Sequence, residues 1–547
     1  MNLHRRRWLA GSAALIGLPA LPGCGRRGAA LPEARWIGAS HERGHRLRDA
    51  PAGGAPAQVH EADALVLGAG IAGLAAARAL LRGGVDDLRV LELEDMPGGN
   101  SRGHRMDGIA CPLGAHYLPV PGEPAVEVAQ WLEEIGLRRS EAGRVVYDER
   151  HLCHSPQERL FLDGRWHDGL LPPVEALPEA QQAATRAQYR RFAQRIGELG
   201  AGGAFRLPTA RAPWGAALAA LDATSFDAWL DREVFDAPAL RWYLDYCCRD
   251  DYGAASAQVS AWAGVHYFAS RHGFHAPGEE DAEREGVLTW PEGNAWLAQR
   301  LAAPLGDRLR GGLLVTRVAE QRQQVEVDTW SAATQRRERW VAPQVVLALP
   351  LFVAARVLES PPEALREALA LQRHAPWLVA NLRLDGPLAD RPGAAPSWDN
   401  VLYGSRTLGY VDASHQRLDP RPGPTVLTVY HALGGRTAQE TLAARRSLLE
   451  RPAAAWAAEL LTELAPAHPD LPQRVKAIDL MRYGHAMSIP VPGLRGAPAL
   501  QALAEGGRRL QYAHADLSGY SVFEEAFFHG HRAGTRAAAA LRTRSSA

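Results

Sequence analysis

Apolar residues run without a break from Ala64 to Leu67, stop at Gly68-Ala69-Gly70-Ile71-Ala72-Gly73, and resume as an Ala- and Leu-rich stretch reaching Leu81. A short continuous apolar run bounded by glycine predicts a strand buried on both faces, and the longer stretch behind it predicts a helix. A second run, Leu88 to Leu91, predicts a parallel partner strand that ends in Glu92, 19 residues after Gly73. Further along, periodic polar and apolar residues predict helix over 179–199, and aromatic and aliphatic residues at helical spacing predict it over 225–248. Apolar runs at 314–318, 345–349, 377–384 and 425–430 predict strands. Elements of both kinds alternate along the chain, so the fold class is α/β.

Strand, Gly-x-Gly-x-x-Gly, helix, strand and acid in this register form a dinucleotide-binding fingerprint. Gly68 permits the tight turn, Gly70 lets a pyrophosphate approach the backbone, and Gly73 lets helix and strand pack closely. The helix N-terminus, at Ile71 and Ala72, turns free N–H groups toward the phosphates. Glu92 is placed to accept hydrogen bonds from ribose hydroxyls. The competing reading is a degenerate fold that has lost its ligand. No second Gly-x-Gly-x-x-Gly follows, which argues that electrons enter from an organic substrate and not from a nicotinamide cofactor.

Pro97-Gly98-Gly99-Asn100-Ser101-Arg102 resembles the second glycine signature of the flavin amine oxidase superfamily, which includes monoamine and polyamine oxidases and, more distantly, phytoene-type desaturases. The resemblance implies FAD as cofactor. It also implies a Rossmann-like FAD-binding domain of the GR2 flavoprotein type with an interleaved α+β substrate domain. Asn100 stands where an Arg is common, and the phosphate role passes to Arg102. Leu113-Gly114-Ala115-His116-Tyr117 is similar to the family's Gly-x-His segment, which places Gly114 and His116 beside the flavin. Trp290 to Asn294 resembles the loop leading back into the FAD domain. Val315 lies on the strand whose backbone meets the adenine in the family, and Val345 to Pro350 matches the strand closing that sheet. Tyr512 to Gly530 resembles the last flavin-binding strand, loop and helix, with Asp516 placed to hold the ribityl chain and Phe523 and Ala526 beside the cofactor. Glu525 departs from the family's Gly-Ala pair. The implied organisation is an FAD domain assembled from 61–150, 285–352 and 495–542, and a substrate domain from 151–284 and 353–494.

The resemblance implies oxidation of an amine or polyamine by hydride transfer to flavin N5. The protein's part is an aromatic pocket that excludes water and keeps the amine neutral. Candidate wall residues are His116, Tyr117, Tyr483, His485 and Tyr520, with Phe523 and His514 near them. Asp250 and Asp251 could bind a substrate cation, or cap a helix, or pair with Arg249. The aromatic run from Ser260 to Phe268 fits core packing better than a tunnel lining. Many relatives carry a Lys near flavin N5, but 377–384 has none, and Lys476 is the sole lysine. Quinone or cytochrome therefore stands beside oxygen as the electron acceptor. Two alternatives remain: a desaturase or isomerase of an isoprenoid or lipid, and a flavin-binding protein without turnover.

Basic and acidic residues balance at 61 each over 547 residues, which gives no footing for nucleic-acid binding. The spacing of Cys111, Cys153, Cys247 and Cys248 matches no metal pattern and reads as buried thiols. Arg5-Arg6-Arg7-Trp8-Leu9 with the apolar run 13–21 reads as a twin-arginine export signal over residues 1–24. It ends in Leu21-Pro22-Gly23-Cys24, which resembles a lipobox with Cys24 as the acylated residue; a cleaved soluble periplasmic protein is the other reading. Residues 25–60 read as a tether and an irregular arm.

Overall fold

The computed structural model describes residues 32–49, 55–276, 286–417 and 421–545. The export signal and Cys24 lie outside the described residues. A five-stranded parallel sheet runs in the order Leu309–Arg310, Leu88–Leu91, Ala64–Leu67, Gln344–Leu347, Leu510–Tyr512. The strand Gln344–Leu347, expected to close this sheet, is internal; Leu510–Tyr512 takes the edge because it pairs outside it. Helix Ile71–Arg82 covers one face and packs on the long helix Phe523–Ser545. The two approach backbone to backbone: a Cβ on Gly530 would stand 2.0 Å from the Ala72 carbonyl, and one on Gly534 2.3 Å from that of Ala76. The other face is covered by a sheet of Leu313–Glu320, Val325–Ser331 and Arg337–Ala342, edged by Gln58–Glu61.

An eight-stranded mixed sheet forms the second body, in the order Glu33–Trp36, Val475–Ile489, Arg373–Leu384, Thr425–Ala432, Tyr410–Asp412, Asp399–Leu402, Glu158–Leu162, Arg165–Asp168. Its central strand explains the unbroken apolar run at 377–384. Trp377 and Val379 face a core shared with the helices of the first insert, while Leu378, Ala380, Leu382 and Leu384 face helix Ala453–Leu464. Both faces are buried, so polar alternation is absent. The first insert holds the predicted helix as Glu179–Gly200. The predicted helix at 225–248 is two, Phe226–Arg232 and Pro238–Tyr252, because Val234 takes a positive φ and Pro238 starts the second. The run 260–268 is core: helix Ala261–Tyr267 is buried along its whole length.

The arm is not irregular. Glu33–Trp36 is an edge strand beside Val475–Ile489, His41–Asp49 is a helix, and Gln58–Glu61 pairs with Arg337–Ala342. The polar composition of 41–49 hid the helix: only Leu47 in it packs on a core. Among the described residues no helix is long and apolar enough to cross a membrane.

Candidate active site

The two glycine loops meet over the C-terminal edge of the parallel sheet. Gly68 has φ +98°, and a Cβ on Gly73 would lie 1.9 Å from the Gly68 carbonyl oxygen. Both are closed to any larger residue. Gly70 differs: its backbone is extended, and an added Cβ would find nothing nearer than Gly99 Cα at 3.8 Å. Gly98 N–H donates to the Ala69 carbonyl (2.8 Å), so bare backbone of one loop faces bare backbone of the other. Helix Ile71–Arg82 has no side-chain cap. Its first-turn N–H groups and positive dipole end thus open onto this cradle, which fits a pyrophosphate. Buried Glu92 accepts from the N–H groups of Ala69 (2.7 Å) and Glu94 (2.9 Å), and burial raises its pKa. Leu313 N–H donates to the Glu92 carbonyl (2.8 Å), which sets the strand carrying Val315 alongside. Arg102 is pinned beneath the loop, donating from Nε to the Gly99 carbonyl (2.8 Å), with Nη1 4.0 Å from Glu94. Asn100 donates to the Ala486 carbonyl (2.5 Å), tying the loop to the eight-stranded sheet.

From this loop the cradle runs into an aromatic recess. Ala115 N–H donates to the Asn100 carbonyl (2.8 Å), and a Cβ on Gly114 would stand 2.1 Å from that same oxygen. Tyr483 and Tyr430 donate to the carbonyls of Leu113 (2.6 Å) and Gly114 (3.0 Å) and hold the segment from the sheet side. His116 stacks on Tyr430 at 4.3 Å and lies 5.4 Å from Trp398, which Tyr117 meets edge-on at 6.1 Å. Burial takes the His116 pKa down to about 3, so the ring is neutral.

Carboxylates share this recess. Glu158 and Asp399 are register partners on adjacent parallel strands, so their side chains leave the sheet on one face. Burial, followed by Asp250 and Glu158, raises the Asp399 pKa well above the usual carboxylate range. Asp250 is pushed up to about 7 by burial and then by Asp251. Neither caps a helix start, and Arg249 pairs with Asp245 instead (3.3 Å). Asp251 lies 3.6 Å from Arg271, itself 3.8 Å from Glu524. Three acidic groups, Asp250, Asp251 and Asp399, and one basic group, Arg271, thus act on Tyr117.

Four predicted site residues lie elsewhere. Tyr520 is 1% exposed, packs against Tyr252, Trp262 and His266, and donates to Glu525 (3.2 Å); it is core, not a recess wall. The cause is Glu525, fully buried, which also accepts from Ser518 and from the Thr209 N–H (2.5 Å) and so points away from the cradle. Asp516 is fully buried and gives its oxygens to the Leu351 N–H (2.9 Å) and to His374 (3.1 Å), so it offers no free oxygen to a ribityl chain. Burial opposes its charge, but His514 and His374 hold its pKa well below the carboxylate range. Phe523 stacks with Trp131 and Phe527 inside the helix layer, while Ala526 on the next turn stays partly exposed. His485 is away from the aromatic recess, near Phe352 (4.6 Å) and one residue from the Asn100 anchor. The sequence reading missed Tyr430, Trp398, Asp399 and Glu158; only strand pairing brings these to Tyr117.

Residues 71–538 match the family described as flavin containing amine oxidoreductase. The protein named "Putative flavin-containing monoamine oxidase AofH" of Mycobacterium tuberculosis (strain CDC 1551 / Oshkosh) is 28% identical over 259 residues, 47% of this chain and 51% of that protein. The chain thus spans about half the length of the curated relatives it matches. Putrescine oxidase bound to putrescine superposes with a TM-score of 0.61 at 18% identity, over 89% of this chain and all of that one. Cyclohexylamine oxidase from Brevibacterium oxydans IH-35A gives 0.62 at 18% over the same shares, and a fatty acid isomerase from P. acnes gives 0.56 at 16%, over 87% of this chain and 98% of that one. At these identities the structures share the fold. With a matched span of this length and a cradle that fits a dinucleotide, the chain belongs to the flavin containing amine oxidoreductase family, and its cofactor is FAD.

Proposed function

We propose that the protein oxidises a small amine carrying a second cationic centre. The observation that carries this is the aromatic recess beside Gly114 and His116, where the carboxyl groups of Asp250 and Asp399 lie close enough to raise each other's or their neighbours' pKa. FAD held between the Gly68–Gly73 and Gly98–Gly99 loops would supply the redox chemistry, as acceptor of a hydride equivalent from the C–H bond next to nitrogen. Tyr117, Tyr430, Trp398 and neutral His116 exclude water and disfavour the ammonium form of the reacting nitrogen. Asp250 and Asp399 hold the distal cation, and its arrival favours their ionised forms. An apolar lipid would leave these carboxylates buried without a partner, which weighs against the isomerase reading.

The test is an anaerobic visible-absorption titration of the holoprotein with putrescine, spermidine and cyclohexylamine. Bleaching of the flavin band by the diamines in preference to cyclohexylamine is expected. A band untouched by every amine would overturn the proposal. Readmitting air afterwards distinguishes oxygen from a quinone or cytochrome as acceptor. We also propose export by the twin-arginine route with lipid attachment at Cys24, supported by Arg5-Arg6-Arg7 and the Leu21-Pro22-Gly23-Cys24 sequence. Recovery of the protein in the membrane fraction, and its loss from that fraction on Cys24→Ala, tests this.

A further inference from the structure

The segment ahead of the fingerprint, outside the family match that begins at residue 71, crosses from the eight-stranded sheet to the FAD domain. After the edge strand Glu33–Trp36, Ile37 N–H donates to the Leu480 carbonyl (2.8 Å) and Ala39 N–H to Met481 Sδ (3.4 Å). Gly38 is the crossing point. It has φ +85°, and an added Cβ would stand 2.3 Å from Met481 Sδ and 3.2 Å from Leu113, the neighbour of Gly114. Ser40 N–H then donates to both carboxylate oxygens of Glu94 (3.1 and 3.3 Å). Glu94 is buried, two residues beyond Glu92, and adjoins Arg102, the residue that holds the Gly99 carbonyl. The arm thus ends on the acid bordering both glycine loops.

Helix His41–Asp49 continues from there. One face is fixed to the FAD domain: Arg43 pairs with Asp95 (2.8 Å), Arg46 lies over Trp330 at 4.0 Å, and Leu47 packs on the core that includes Leu313 and Val315. The opposite face, at i, i+4 and i+7 spacing, carries His41, His45 and Arg48. His41 accepts from Arg482 (2.9 Å), and Arg48 is among the groups that lower the His485 pKa, after burial. Arg482 also lies over Trp36 (4.7 Å) and donates to the Leu449 carbonyl (3.2 Å), so this face turns to the eight-stranded sheet.

We propose that residues 37–49 are a fourth wall of the cofactor site, a strap across the FAD cradle tied at Gly38 to Met481 and Leu113 and beyond it to Glu94 and Asp95, so that FAD leaves only when the strap lifts. The role rests on FAD being the cofactor. A segment packed across the cofactor's exit slows release by obstruction, and the obstruction depends on ties that can break locally.

The full-length holoprotein tests this in two ways. Tryptic cuts after Arg43, Arg46 or Arg48, read by mass spectrometry, should be at least about tenfold slower with FAD bound than in the FAD-free protein. FAD release after dilution, followed by flavin fluorescence, should be about tenfold or more faster in the Arg43→Ala/Leu47→Ala variant, which loses the Asp95 pair and the core contact, and in Gly38→Val. Arg48→Ala, on the opposite face, should release FAD at the wild-type rate. Equal tryptic cutting with and without FAD, or an Arg43→Ala/Leu47→Ala variant that releases FAD at the wild-type rate, would overturn the strap. A protein that purifies without flavin and takes none up would overturn the cofactor assignment as well.

Discussion

Gly70 and Gly73 lie three residues apart in one fingerprint, yet the structure assigns them opposite consequences. In Gly73→Ala the new methyl would sit 1.9 Å from the Gly68 carbonyl oxygen and 3.2 Å from Ala348 Cβ, so strand and helix must part by about an ångström. Overpacking of that kind costs about 1–3 kcal/mol, offset by about 0.5–1 kcal/mol because Ala is the better helix residue. The net loss is about 1–2 kcal/mol of fold stability, present with or without flavin. In Gly70→Ala the backbone is already in an extended conformation open to any residue, and the methyl meets only Gly99 Cα at 3.8 Å. The FAD-free fold should therefore hold its stability within about 0.5 kcal/mol. The methyl does project between the glycine loops, where the pyrophosphate must lie against backbone N–H groups. Displacing the phosphates from one or two charge-assisted hydrogen bonds removes about 2–4 kcal/mol, a loss of about 30- to 1,000-fold in FAD affinity. Thermal melts of both FAD-free variants and titration of each with FAD separate the effects. If Gly70→Ala binds FAD like the wild type, or melts as low as Gly73→Ala without flavin, the placement of the pyrophosphate between these loops is wrong.

Asp399→Asn should raise KM for a diamine by about tenfold or more, with little change in kcat or in KM for a monoamine, because the carboxylate holds the cation and not the reacting carbon; equal losses for both substrates would refute this. Asp250 keeps its proton to about pH 7 through burial and then Asp251, so diamine binding should strengthen as pH rises through about 7 and be blunted in Asp250→Asn, as calorimetry across that range would show. Its folded-state pKa lies above the unfolded value, so its stabilising contribution is complete below about pH 4 and lost as pH rises through about 7. Melts of Asp250→Asn should accordingly fall less between about pH 6 and 8 than those of the wild type. Glu525→Ala leaves the Thr209 N–H and the Tyr520 hydroxyl without their acceptor, while Ser518 keeps His529 (2.7 Å), and should cost about 2–4 kcal/mol in denaturant melts while leaving the bound-flavin spectrum intact; a changed spectrum would place Glu525 at the flavin after all.

What the sequence made legible was local. The fingerprint sits within 29 consecutive residues, Ala64 to Glu92, and each glycine's duty follows from its own turn or its own contact. The central strand of the second sheet was legible because burial of both faces writes itself as an unbroken apolar run. The recess was not, because its walls come from segments more than 250 residues apart: Tyr117 follows the fingerprint, while Trp398 and Tyr430 belong to the second insert. Asp399 gains meaning only from its register with Glu158, a pairing across 241 positions that no window of sequence contains. The arm helix was missed for a different reason. Residues 41–49 have a single apolar anchor, Leu47, and are held by charge pairs and cation–aromatic contact, so the hydrophobic period that reveals other helices is absent.

The misplaced residues share one physical cause. Tyr520 and Asp516 were assigned to the flavin by their place in a family segment, but the segment's own departure redirects the first. Glu525, where the family carries Gly, cannot stay buried without hydrogen bonds. It takes them from Tyr520, Ser518 and Thr209, and Thr209 belongs to the insert. An acid that looked like damage to the flavin loop is instead the clamp joining the last helix to the insert that roofs the recess. Asp516 is redirected by His374 at the foot of the central strand, a residue from the other body. In both places a polar group that the family pattern turns toward the cofactor is spent on holding the two bodies together. The cradle itself depends on backbone, on Gly70, Gly98, Gly99 and the uncapped helix, which such side-chain exchange leaves intact.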